Sequence, residues 1–103
     1  MNISSNLRLN MTGAEADPTQ RAQRYRAAID MASFADQQGF SSVNVEEHHV
    51  AENSWLPSPL TMAAAIAART ERCSIGVMAL LVTLYDPIRL AEDIAVVDLL
   101  SEG

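Results

Sequence analysis

The stretch Cys73 to Thr83 reads Cys-Ser-Ile-Gly-Val-Met-Ala-Leu-Leu-Val-Thr, an almost unbroken apolar run. It constrains the fold more than any other segment. A strand that is apolar on both faces needs cover on both, which is the habit of a parallel sheet flanked by helices. This run and Met62–Ala68 are too short to cross a bilayer, which takes ~20 residues. Parallel strands need long crossover connections, so helices should separate the strands of this chain.

The rest of the sequence supplies that alternation. Leu7, Leu9 and Met11 alternate with Arg8, Asn10 and Thr12, the period of a short strand. Gly13–Pro18 has loop composition. Thr19–Gln38 is rich in Ala, Gln and Arg and reads as a helix, with Tyr25, Ile29, Ala32, Phe34 and Ala35 at helical spacing. Gly39 stands where a helix C-cap belongs. Phe40–Glu47 reads as a second strand, with Val43 and Val45 on one face and Asn44, Glu46 and His48 on the other. Val50–Pro57 is a loop. Ser58-Pro59 starts a second helix, Leu60–Thr70, by the pairing of an N-cap residue with Pro at the first helical position. Asp86-Pro87 repeats that signal before a third helix, Ile88–Ser101, whose stripe is Leu90, Ile94, Val97 and Leu99 or Leu100.

The order β-α-β-α-β-α implies right-handed crossovers and a parallel sheet. Three strands and three helices cover one sheet face and leave strands 1 and 3 as edges. A closed (β/α)8 barrel takes ~250 residues, against 103 here. The expected fold is therefore α/β, with residues 1–103 forming one N-terminal segment of a TIM barrel. A small self-contained α/β domain is the alternative.

Charge and motif content narrow the function. Seven Arg, no Lys and 13 Asp plus Glu give a net charge of −6, a poor match to nucleic acid, which is bound through basic surface. One Cys excludes an internal disulfide framework. No basic segment followed by an apolar one opens the chain, so no signal peptide and a cytoplasmic location are expected. No Gly-rich phosphate loop is present. Glu47, His48 and His49 fall at the C-terminal end of strand 2, the end that lines the mouth of a parallel barrel. Histidine exchanges protons near neutrality, so these three are the candidate catalytic residues; a solvated strand end is the plainer reading. Neighbouring strand residues point to opposite faces, so His48 and His49 are poorly placed to share a metal, and none is expected. Asn10 and Trp55 are candidate substrate contacts, against a polar strand end and local packing. Cys73 reads as core.

Gly39-Phe40-Ser41-Ser42-Val43-Asn44-Val45-Glu46-Glu47-His48-His49 resembles the second strand of the luciferase-like flavin-dependent monooxygenases, with their Glu-His-His motif at its end. Ser58-Pro59-Leu60 and Ala67–Arg72 are similar to the family's second helix. Gly76–Leu84 and Tyr85–Asp93 resemble the third strand and the helix after it, and Asp98–Gly103 matches that helix's ending. The resemblance implies a TIM barrel with five further βα units. It implies oxygenation of a small organic substrate by reduced FMN and O2, with a separate flavin reductase, or hydride transfer with F420, and an oligomeric protein. It makes His48 the reactive histidine, supported by Glu47 and His49. It also implies a non-prolyl cis peptide beside the flavin at Met78 and Ala79, with Leu80, Leu81 and the residues to Thr83 lining the ring. Thr83 stands where the family often has Pro. A non-catalytic relative that pairs with a partner through its open strand edges is the alternative function.

Overall fold

The computed structural model describes residues 3–13 and 17–103. Residues 14–16 of the expected Gly13–Pro18 loop lie outside that range. The elements run β1 (Asn6–Leu9), α1 (Pro18–Gln37), β2 (Ser42–Glu46), α2 (Pro59–Ala67), β3 (Ser74–Met78), a 3-10 turn at Val82–Leu84, and α3 (Pro87–Ser101). Both strand pairings are parallel, in the order β1-β2-β3. β2 is central and β1 and β3 are edges, as the alternation predicts.

The sheet is amphipathic across its register. Leu7, Val43 and Ile75 form one row, and Leu9, Val45 and Val77 the next. These rows pack with Ala28, Ala32 and Ala35 of α1 and Met62 and Ile66 of α2. Val43, Val45, Leu56 and Ile66 are fully buried, each stabilising the fold by ~1.5–3 kcal/mol. The opposite face carries the rows Asn6/Ser42/Ser74 and Arg8/Asn44/Gly76, then Glu46/Met78. Gly76 leaves room there for Asn44, whose Oδ1 a Cβ at this position would displace.

Both edge strands are shorter than their apolar patterns. Met11 continues the alternation of β1 and is buried, but its φ of 61° ends the strand at Leu9. Ala79, with φ 58°, ends β3 at Met78, and the second half of the long apolar run becomes a turn. β3 is also not buried on both faces here. Ile75 and Val77 are half-buried, and Met78 is exposed. All peptide bonds of the described residues are trans, so the cis bond expected at Met78 and Ala79 is absent and a left-handed Ala79 stands there instead.

The helix caps follow the sequence with one exception. Asp17 accepts from the Thr19 N–H, and Asp86 accepts from Ile88 and Arg89. Ser58 occupies the N-cap of α2, yet its hydroxyl pairs with Thr61 Oγ1 rather than the backbone. Phe34, placed on the α1 stripe by spacing, is 62% exposed; the buried positions are Ala28, Ala32, Ala35 and Asp36. The Asp36 carboxylate accepts the N–H groups of Glu71, Arg72 and Cys73 at 3.2, 2.8 and 2.7 Å. It thereby ties the end of α1 to the turn that feeds β3. Burial pushes this carboxyl up, but the three N–H donors outweigh it and hold it below the ordinary value. Cys73 beside it is half-buried against the core, as expected, and burial and the Asp36 charge push its thiol up. α3 has no fully buried residue: Leu90 and Val97 are partly covered, while Ile94, Leu99 and Leu100 of its stripe are exposed. Among the described residues, no helix is long and apolar enough to cross a membrane.

Candidate active site

The C-terminal ends of the three strands and the loops after them converge on one side of the sheet. Gly13 N–H donates to Asn53 O at 2.8 Å, joining the β1 loop to the β2 loop, and His48 N–H donates to Leu56 O at 2.9 Å. Glu46, Glu47, His48 and His49 leave the central strand at this end.

Strand alternation splits these four side chains into two pairs. Glu47 is buried and accepts three hydrogen bonds: Leu81 N–H at 2.7 Å, Tyr85 O–H at 2.8 Å, and His49 Nε2 at 2.7 Å. Burial pushes its carboxyl up, and the Leu81 N–H, His49 and Tyr85 together bring it below the ordinary value. The same contact pushes the Tyr85 phenol up to about 12, first by burial and then by the adjacent carboxylate. Glu47 thus fastens the loop after β3 to the end of β2. A fully enclosed carboxylate with its oxygens engaged holds structure and does not reach a bound molecule.

On the other side, His48 stands partly open, with its ring edge against Trp55 at a centroid distance of 3.9 Å. Glu46 is buried and forms an ion pair with Arg8 of β1. The Arg8 hydrogen bond lowers the Glu46 carboxyl against the upward push of burial. His48 and Trp55 line a cleft of about 240 Å³ together with Arg21, Tyr25, Ser54 and Pro57. His48 stands at the wall of the open cleft, whereas His49 is tied through Nε2 to buried Glu47 and lies outside the cleft lining.

The other expected residues divide in the same way. Met78 is the register partner of Glu46 and shares the polar face with it, half-exposed. Ala79 follows it in the left-handed turn. Leu80 lines a different cavity of about 510 Å³, walled by Ile75 and Val77 of β3, Leu60 and Ala63 of α2, and Ile94 and Val97 of α3. The Leu81 N–H is taken by Glu47, and the Val82 N–H donates to Leu80 O. Asn10 does not reach the cleft: its Oδ1 accepts from the Thr12 N–H and hydroxyl at 3.1 and 3.0 Å, closing a turn. Tyr85, Arg8 and Asp36 carry no role in the sequence reading. Arg8 was within reach of it, since alternation puts Arg8 and Glu46 on one face. The Tyr85 and Asp36 contacts join residues 35 or more apart, which no local pattern records.

Comparisons with known proteins place the chain in a family. The family model for the luciferase-like monooxygenases matches residues 8–103. The alkanal monooxygenase beta chain of Photobacterium leiognathi is 34% identical over 68 residues, 66% of this chain and 21% of that protein. The oxygenase component of a flavin-dependent trigonelline monooxygenase from Acinetobacter baylyi is 27% identical over 88 residues, 85% of this chain and 24% of that protein. Among solved structures, the monooxygenase RslO1 of Streptomyces bottropensis superposes with a TM-score of 0.85 at 31% identity, covering 98% of this chain and 31% of RslO1. The oxygenating constituent of 3,6-diketocamphane monooxygenase from Pseudomonas putida, solved with FMN, shares the fold at a TM-score of 0.86 and 24% identity. It is covered over 28% of its length, so the chain spans about a fifth to a third of these proteins.

Proposed function

The chain belongs to the luciferase-like monooxygenase family, and from that premise we propose that it contributes the His48 wall of a flavin-dependent monooxygenase site that acts on a small organic substrate. The observation that carries this reading is His48 itself: of the two imidazoles at the strand ends, it is the one that lines the open cleft. A relative named flavin-dependent and an oxygenase component supports a flavin cofactor and a separate reductase as its electron source, and FMN is the flavin proposed. Hydride transfer with F420 is the second cofactor reading.

The residues of the β3 end fit a flavin ring. Met78 and Ala79 offer an exposed, uncharged surface on the face shared with Glu46 and His48. Met78 is polarizable and adapts to a flat aromatic partner. Leu80 and Leu81 support this surface from behind through the Glu47 clamp and the turn. Phosphate binding has no counterpart among these residues and belongs to strands 7 and 8 in barrels of this type. A bound flavin supplies the electrons and the site of O2 reduction. The chain's own contribution is then proton handling: His48, at the cleft wall, holds or releases a proton beside the ring. Trp55 restrains the imidazole and shields it on one side.

The segment 1–103 forms the first three βα units of the barrel, and the assembled protein works as an oligomer in the cytoplasm. The test is a His48→Ala exchange in the protein that carries this segment. Turnover with reduced flavin should fall by a factor of about 10²–10⁴, the usual worth of a positioned acid or base, with the circular dichroism spectrum unchanged. Unaltered turnover would remove His48 from the reaction.

A further inference from the structure

Glu46 lies outside the Glu-His-His motif and has no part in the reading above, yet it is the most fully engaged group on the His48 face. Its side chain is 5% exposed. Two groups from different elements meet it there. Arg8 of β1 approaches Oε1 through Nε, and the His48 Nε2 stands 3.5 Å from Oε2. The imidazole is restrained on another side by the edge-to-face contact with Trp55, at an interplanar angle of 73°. Among the described residues, the His48 Nδ1 makes no hydrogen bond.

We infer that Glu46 is the positioning residue of His48: its carboxylate accepts from the Nε2–H, fixes the ring tautomer, and leaves Nδ1 as the nitrogen that exchanges protons with the cleft. The inference rests on the assignment of His48 as the proton-handling group. Its physical basis is the rule that a carboxylate bonded to one imidazole nitrogen decides which nitrogen is left basic. Arg8 has the complementary part. It balances the Glu46 charge, so the carboxylate stays ionised inside the fold. The other ionisable groups on this cleft are Arg21 and Tyr25 of α1. The Glu47–His49 pair faces Tyr85 on the opposite side.

The experiment is a nitrogen NMR measurement of the neutral tautomers of the two histidines in the full chain, at alkaline pH, for wild type against Glu46→Gln. In the wild type His48 should be held as a single Nε2–H form, with Nδ1 left unprotonated. The Glu46→Gln exchange should mix the His48 tautomers. His49, bonded to Glu47 through Nε2, should keep its tautomer in both proteins, and so reports that the fold is intact. A His48 tautomer unchanged in Glu46→Gln, with His49 undisturbed, would overturn the inference. Should Glu46→Gln disturb His49 as well, the wild type decides: a single Nε2–H form of His48 supports the pairing, and a mixture refutes it. Retained turnover in His48→Ala alongside a single wild-type His48 tautomer would reject the role of His48 while leaving the Glu46 pairing standing.

Discussion

Removal of the Asp36 charge tests whether one buried carboxylate holds the third strand in place. Asp36 Oδ1 accepts from Arg72 and Cys73, and Oδ2 from Glu71. Hydrogen bonds to a charged group contribute ~1.5–3 kcal/mol each, and they do not add fully. In Asp36→Asn, Oδ1 keeps two weakened bonds, while the amide nitrogen meets the Glu71 N–H donor to donor. The expected loss is about 2 kcal/mol, one charged bond of that kind. Asp36→Ala removes all three acceptors and leaves the N–H groups short of partners, for a loss of about 4 kcal/mol on the same scale. The sign of the pH dependence follows from the lowered folded pKa. The Asp36 contribution is complete above the unfolded carboxyl value of about 4 and disappears as pH falls through the lower folded value. Urea unfolding followed by Trp55 fluorescence, repeated between neutral and acid pH, measures both. The variants should rank wild type, Asn, Ala in stability at neutral pH, and the Asn variant should lose part of the acid-dependent decline. Equal midpoints for Asn and wild type at neutral pH would refute the reasoning.

Three further outcomes follow from contacts at the strand ends. Glu47→Gln should bring the Tyr85 phenol down from about 12 toward its ordinary value of about 10, read by ultraviolet titration with Tyr85→Phe identifying the signal. Ala79→Gly should stabilise the chain by about 0.5–1 kcal/mol, because glycine takes a φ of 58° without a Cβ penalty; a loss in urea midpoint would contradict this. Gly76→Ala should cost about 1–3 kcal/mol by overpacking against Asn44, and most of that cost should vanish in an Asn44→Ala background.

What could be read from sequence was whatever repeats locally. The period of two in Leu7–Met11 and Val43–Val45 fixed the strand faces, and the Ser58-Pro59 and Asp86-Pro87 pairs marked two helix starts. The same logic placed His48 opposite the core, where the structure has it. Strand ends were less visible, because Met11 and Ala79 are ordinary apolar residues whose left-handed backbone is imposed by the loops around them. Phe34 misled because a 20-residue helix covered mainly by small residues buries alanines and leaves this phenyl ring outside. Glu47, grouped with the catalytic histidines by adjacency, belongs by geometry to the loop after β3. That contact joins residues 34 apart, and only the fold brings them together.

The open border of β3 has a consequence for the life of the polypeptide in the cell. Ser74–Met78 presents a free row of backbone donors and acceptors, beside half-covered Ile75 and Val77 and the bare apolar side chains of α3. Such a border pairs readily with any extended chain nearby. The left-handed Ala79 limits the hazard by stopping the strand after five residues. Glycine takes that conformation without a Cβ penalty, so Ala79→Gly should make the stop firmer, and soluble yield should rise together with stability.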